Sequence, residues 1–141
     1  MKKYRVSRTI QARPERVWAL LTDAQGYPAW NPAVDRVEGR IVNGETIKVF
    51  VPVNPGRTFP VKVTEFEPPK RMTWTGGMPL GLFKGVRTFT LQPSGDGKTE
   101  FTMEEAYSGL LLPVLGRSVP DLTGAFDQFA DGLKQRAERA G

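Results

Sequence analysis

The sequence predicts an α+β fold: a seven-stranded curved antiparallel sheet wrapped around a long C-terminal helix, with two short helices after the first strand. Three observations carry that reading. A single polar/apolar alternation is followed at once by a short segment with helical spacing. A run of further alternating segments comes next, cut by Gly, Pro and Asn turns. The chain then ends in a stripe of apolar residues three or four positions apart.

Tyr4 to Ile10 alternates as a half-buried strand does. Arg13-Pro14-Glu15 opens a helix, because Pro suits the first turn and Glu15 favours the positive helix end. Val17, Trp18, Leu20 and Leu21 form its apolar side, and it runs out near Thr22-Asp23. Gly26, Pro28 and Pro32 restrict the next element to a short helical turn around Tyr27-Pro28-Ala29-Trp30. The segments Val37 to Val42 and Thr46 to Val53 flank Asn43-Gly44, a strong short-hairpin signal. Asn54-Pro55-Gly56 turns the chain into Thr58 to Glu67, and Pro68-Pro69 turns it into Arg71 to Thr75. A loop at Gly76 to Gly81 precedes Leu82 to Gln92, which Ser94-Gly95-Asp96-Gly97 folds back onto Thr99 to Tyr107. The last helix is read from Val119 to Ala140, with Ser118 and Asp121 at capping-box spacing. Leu122, Phe126, Phe129, Leu133 and Ala137 form its apolar stripe, and Asp127, Asp131, Lys134 and Arg139 its opposite face. A sheet this long twists and curls, and the helix fills its concave side.

With 141 residues the chain suits one domain, residues 1–141, with a single core. Cysteine and histidine are both absent, which excludes disulfides, a thiolate nucleophile, Cys/His zinc sites and a Ser-His-Asp triad. No P-loop, dinucleotide fingerprint or carboxylate cluster with metal spacing appears, so neither a metal nor a cofactor is implied. The net charge is +5, but the basic residues are scattered with no run longer than two, which reads as a solvated surface and not a nucleic-acid footprint. The longest apolar stretch, Gly109 to Leu115, is far short of a membrane span. The N-terminal charges have no apolar segment behind them, and a cytoplasmic location is expected.

The stretch Ile10-x-Ala12-x-Pro14-Glu15-x-Val17-Trp18-x-Leu20-Leu21-Thr22-Asp23, followed by Pro28-x-Trp30-Asn31-Pro32, resembles the opening of the SRPBCC (START/Bet v1-like) superfamily. It is most similar to the polyketide cyclase/dehydrase and lipid-transport branch. Phe66-x-Pro68-Pro69-x-Arg71-Met72-x-Trp74, Gly85-x-Arg87-x-Phe89-x-Leu91, Gly97-x-Thr99 and Glu105-x-Tyr107-x-Gly109 extend the likeness over nearly the whole chain. The resemblance implies a helix-grip fold with a hydrophobic pocket between sheet and terminal helix. It also implies that the first strand lies beside the last. Its members include binders, carriers, cyclases and chaperone activators, so the fold alone leaves function open.

Alternation assigns faces. An even register across the Ser94–Gly97 turn sets Leu91 opposite Phe101, Phe89 opposite Met103 and Arg87 opposite Glu105. Val63, Met72, Trp74, Phe89, Met103 and Tyr107 are then candidate pocket residues on the sheet. Trp18, Phe126 and Phe129 are candidates from the helices. Each is equally readable as plain core. Arg87, Glu105 and Arg8 share the inward parity, and the implied strand order brings Glu105 between the two arginines. Buried charge persists only when paired, so this set is either a structural ion pair or a polar handle for a ligand carboxylate, phosphate or keto group. As chemistry, Glu105 would act as general base with Arg87 stabilising an enolate, as an aldol-type cyclisation requires. Relatives often carry His where Arg87 stands, and arginine does not shuttle protons near neutrality. Trp30-Asn31-Pro32 reads as a structural corner, with Asn31 as a ligand contact the lesser alternative.

Two apolar loops, Gly76 to Leu82 and Gly109 to Leu115, read as a pocket gate, a transient membrane contact, a dimer contact or local packing. The expected function is non-catalytic binding or carriage of a lipid-, isoprenoid- or polyketide-like molecule by a monomer or homodimer. The alternatives are a polyketide cyclase/dehydrase-type enzyme and a chaperone-activator-like interaction module.

Overall fold

The structure, a computed structural model, describes residues 2–50, 58–78, 83–109 and 123–139. Its elements are β1 (Lys2–Ile10), α1 (Pro14–Leu21), a 3-10 turn (Ala24–Gly26), α2 (Tyr27–Trp30), β2 (Arg36–Glu38), β3 (Thr46–Phe50), β4 (Thr58–Glu67), β5 (Arg71–Met78), β6 (Phe83–Pro93), β7 (Thr99–Ser108) and α3 (Thr123–Glu138). The seven strands form one antiparallel sheet in the order β1-β7-β6-β5-β4-β3-β2. Both the meander and the return of β1 to the side of β7 are as expected.

The Asn43-Gly44 hairpin is corrected. Arg36 pairs with Phe50 and Glu38 with Lys48, so the β2–β3 connection spans residues 39–45 and β2 is shorter than Val37 to Val42. Gly39, at φ +110°, turns the chain out of the strand, and Ile41 drops into the core instead of extending it. The Gly44 N–H then donates to the Val63 carbonyl at 2.7 Å, and the Val63 N–H to the Glu45 carbonyl at 2.9 Å. Asn43-Gly44 does form a tight turn, the Glu45 N–H donating to the Val42 carbonyl at 3.2 Å, but that turn is bonded to β4 and does not join two paired strands. Gly76 to Met78 also belongs to β5, where the sequence predicts a loop. The turn Asn54-Pro55-Gly56, the stretch 79–82, the stretch 110–122 and residue 140 lie outside the described residues.

One core fills the concave side. Phe126, Phe129, Ala130, Leu133 and Ala137 of α3 meet Phe89, Phe101 and Met103 from the sheet, all nearly or fully buried. Phe129 sits at the centre, with Tyr27, Trp30, Phe89 and Phe101 rings around it at 5.3–6.4 Å between centroids. Gly132 lets α2 approach α3: a Cβ there would overlap the Trp30 carbonyl oxygen.

Polar contacts fix how α3 lies. Arg8 on β1 bonds Asp127 at 3.1 Å and Asp131 at 2.8 Å. Lys134 donates to the Thr9 carbonyl at 2.8 Å and to Glu138 at 2.7 Å, and Glu138 accepts the Gln11 N–H at 2.8 Å. Asp127, Asp131, Lys134 and Glu138 thus tie the polar side of the helix to β1 and the residue after it. Arg16 of α1 donates to the carbonyls of Ala137, Arg136 and Arg139, satisfying acceptors that a helix C-terminus leaves without partners. Thr99, fully buried, donates to the Ala12 carbonyl at 2.7 Å and ties the β1–α1 corner to β7.

Candidate functional site

Register aligns the inward side chains in rows across the sheet. One row reads Val63, Trp74, Arg87, Glu105, Tyr4 across β4, β5, β6, β7 and β1. The next, towards the start of β6, reads Val61, Gly76, Gly85, Tyr107. Two glycines stand side by side there, and neighbouring groups lie directly over them. A Cβ on Gly76 would come within 2.9 Å of the Pro60 carbonyl oxygen, and one on Gly85 within 3.2 Å of the Tyr107 ring. The glycines thus allow Pro60 and the tyrosine ring to close in on the floor from either side.

Arg87 and Glu105 stand in the row beside these glycines. Their side chains are 19% and 13% exposed, and Arg87 Nε donates to Glu105 Oε1 at 2.9 Å. Tyr107 donates its hydroxyl to Glu105 Oε2. Both oxygens of the carboxylate therefore already hold a donor. Burial pushes the Tyr107 phenol well above its ordinary value, and the Glu105 charge pushes it further, so it stays protonated. The Arg87 guanidinium lies over the Phe126 ring at 4.9 Å and near that of Phe129 at 5.8 Å, a cation–π arrangement that holds it against α3. Tyr4 closes the β1 side, with its ring 5.6 Å from Phe126 and 6.2 Å, edge-on, from Tyr107. A cleft of about 190 Å³ opens beside them, lined by Lys3, Tyr4, Arg5, Thr123, Phe126 and Asp127.

Three buried side-chain nitrogens have no hydrogen-bond partner among the described residues: Trp74 Nε1, Trp30 Nε1 and Asn31 Nδ2. Trp74 belongs to the Arg87 row. Trp30 and Asn31 belong to the α2 corner, where Asn31 Oδ1 accepts the Ala33 N–H at 3.0 Å and shapes the turn. No group of three or more His, Cys, Asp or Glu side chains able to hold a metal occurs among the described residues.

Searched against family models, residues 1–138 match the family described as polyketide cyclase/dehydrase and lipid transport. The chain belongs to this family. Solved structures of similar fold include protein MLL2253 from Mesorhizobium loti, 24% identical over 99% of both chains with a TM-score of 0.78. A START superfamily protein from Mycobacterium smegmatis is 20% identical over 96% of this chain and 97% of that one, TM-score 0.73. A norcoclaurine synthase point mutant from Thalictrum, bound to a transition-state analogue, is 17% identical over 96% and 93%, TM-score 0.69. No curated protein matches the chain in sequence. The family and the fold fit a ligand-binding protein of the START/Bet v1-like kind.

For a member of the polyketide cyclase/dehydrase and lipid-transport family, the expected residues divide sharply. Arg87, Glu105, Tyr107 and Trp74 come together around the glycine floor. Val63, Met72, Phe89 and Met103 are fully buried and packed as core, with no surface open even to water. Trp18 is a correction of place: it packs on Phe66 at 5.3 Å, at the end of the sheet away from Tyr107. Arg8 is a second correction. Its parity is inward as expected, but it pairs in register with Phe101, and Tyr4 holds the place opposite Glu105. Four residues separate Arg8 from Tyr4, about 13 Å of strand, and its charge is taken by Asp127 and Asp131. Sequence reasoning missed Gly76, Gly85 and Tyr4. Gly85 carried a usable signal, since it falls at an inward position of a long predicted strand, where Gly marks a close approach, whereas Gly76 fell in a predicted loop.

Proposed function

We propose that this protein binds a hydrophobic small molecule, lipid-, isoprenoid- or polyketide-like, between the sheet and α3 at the Tyr107 end, and carries it without transforming it. The observation behind this reading is the Arg87–Glu105–Tyr107 set standing beside a floor of two glycines. Elsewhere the described concave face is packed with large apolar side chains; here it carries oriented polar groups among them, as small-molecule sites do. The cleft lined by Tyr4 and Phe126, both of which pack on residues of this set, supports that placement.

Binding is favoured over catalysis by the state of Glu105. Arg87 and Tyr107 each hold one oxygen of the carboxylate in place, which suits an oriented polar group in a binding site, and a general base would have to work through the lone pairs they leave. The family's description keeps a second reading in play, a cyclase/dehydrase with Glu105 as base and Arg87 stabilising an enolate. Native mass spectrometry of the purified protein, followed by organic extraction, tests the first reading, and a stoichiometric small molecule is expected. A protein that is empty, and stays empty after incubation with lipid and polyketide extracts, refutes it in favour of an interaction module. Turnover of the extracted compound that Glu105→Gln abolishes establishes the enzyme instead.

A further inference from the structure

The convex side of the sheet gathers charges that are far apart in sequence. Lys48 on β3, Lys62 on β4 and Lys84 on β6 all hold outward positions towards the end of the sheet where Tyr107 lies. Lys48 pairs with Pro60, so Lys62 is its diagonal neighbour, about 7–8 Å away. The same row runs on through Gly77 to Lys84, three strand spacings or about 14 Å from Lys48. The three lysines, Pro60 and Gly77 are all exposed. None of the three has an ion pair or a side-chain hydrogen bond among the described residues. Glu38 stands opposite Lys48, but Arg36 holds its carboxylate at 3.0 Å, and Glu104 on β7 is taken by Lys3 at 3.6 Å.

What such a face suits follows from the residues between the charges. Pro60, Thr75, Gly77 and Val86 separate the lysines, and none of them is an aromatic platform on which an unpaired base would stack. Lysine lacks the planar fork with which arginine grips one phosphate or base edge in a fixed geometry. Protein interfaces are centred on aromatic and arginine anchors and are poor in lysine. Mobile point charges over small side chains match a surface that offers many negative charges in no fixed arrangement. The headgroup layer of an anionic membrane is such a surface.

We propose that the Lys48–Lys62–Lys84 face docks the protein on membranes containing anionic lipid. Each lysine close to such a surface contributes about 1 kcal/mol, or about fivefold in affinity, so the three together supply about a hundredfold. The contact is peripheral and needs no apolar insertion. It leaves the concave side, with Arg87, Glu105 and Tyr107, turned away from the lipid. Docking by this face is independent of whether that set holds a ligand.

The test is co-sedimentation of the full chain with phosphatidylcholine vesicles, with and without phosphatidylglycerol. Binding is expected only to the anionic vesicles, and is expected to vanish at about 1 M salt, where the screening length falls to about 3 Å. Lys48→Gln, Lys62→Gln and Lys84→Gln combined should weaken it about a hundredfold. The same loss of charge at the opposite end of the molecule, by Lys70→Gln, Lys98→Gln and Arg139→Gln combined, should change it less than about threefold. All six side chains are exposed, so both variants are expected to fold. Should either fail to, Lys62→Gln alone, with an expected loss of about fivefold, decides. Equal losses in the two triple variants mean attraction by net charge alone and overturn the proposal. So does equal binding to neutral vesicles, or binding to neither kind. Binding to soluble polyglutamate in place of vesicles overturns it in favour of an acidic protein partner.

Discussion

The Arg87–Glu105 pair is expected to behave as a coupled unit, and a double-mutant cycle measures how strongly. With Nε and Oε1 2.9 Å apart and side chains 19% and 13% exposed, neither charge is well hydrated. Removing one member of a fully buried pair costs about 3–5 kcal/mol, because the other stays behind uncompensated. Residual exposure and the Tyr107 hydrogen bond to Glu105 reduce this, so Arg87→Met is expected to cost about 3 kcal/mol. Glu105→Gln retains an acceptor for Arg87 and should cost about 1.5 kcal/mol. The double variant leaves no stranded charge and should cost about 2.5 kcal/mol, less than the sum of the singles, for a coupling of about 2 kcal/mol. Urea unfolding followed by tryptophan fluorescence, with unchanged m-values, gives all four stabilities. A coupling below about 0.5 kcal/mol would place the pair among screened surface bridges and refute the low-dielectric site on which the ligand argument depends.

Other expectations rest on single contacts. Gly132→Ala forces a methyl into the Trp30 carbonyl oxygen, and since both partners are backbone the helices must separate; a loss of about 3 kcal/mol is expected, and a variant as stable as the parent refutes the close approach. The Glu138 carboxyl is held below its ordinary value, first by the Lys134 hydrogen bond and then by the Gln11 N–H. A depressed carboxyl stabilises above its unfolded pKa and ceases to do so as pH falls through the folded one. Glu138→Gln should therefore lower stability at neutral pH by up to about 1 kcal/mol, with the difference shrinking as pH falls below the ordinary carboxylate range, checked by urea unfolding across that range. Burial raises the phenols of Tyr27 and Tyr107, with the Glu105 charge adding at Tyr107. A raised pKa favours the fold fully below the unfolded value of about 10 and less as pH climbs beyond it. In the folded protein at about pH 11, replacing either tyrosine with Phe should leave the tyrosinate absorbance unchanged, and a drop in either variant refutes its burial.

Much of the fold was legible because its signals are local. The Ser94–Gly97 turn set the β6–β7 register by itself, and from that register the pairing of Arg87 with Glu105 followed without any knowledge of the rest. The apolar stripe of α3 was equally plain from spacing, as was its burial against the sheet. What escaped depends on neighbours distant in sequence. Asn43-Gly44 carries the composition of a tight turn, yet Gly39 bends the chain earlier and β4 supplies hydrogen-bond partners that no local rule weighs. Arg8 has the parity of a pocket residue. Only the offset between β1 and β7 reveals that Tyr4 meets Glu105, while two aspartates one helical turn apart wait for the arginine on α3.

The same limit separates the two halves of the candidate site. Which charges face inward is a matter of parity, and sequence supplies parity. Whether an inward carboxylate is a base, a brace or part of a binding site depends on how many donors reach it, and that is a count made in three dimensions. Glu105 takes one donor from the strand beside it and one from the residue two positions along its own strand, so its orientation is set before a substrate arrives. Trp74 has the opposite imbalance, a donor with nothing to receive it. Chemistry at this end of the sheet would require a substrate proton to be aimed at a lone pair that Arg87 and Tyr107 leave on Glu105. Binding requires only that these groups stay where the fold holds them, and on that difference rests the choice of a carrier over a cyclase.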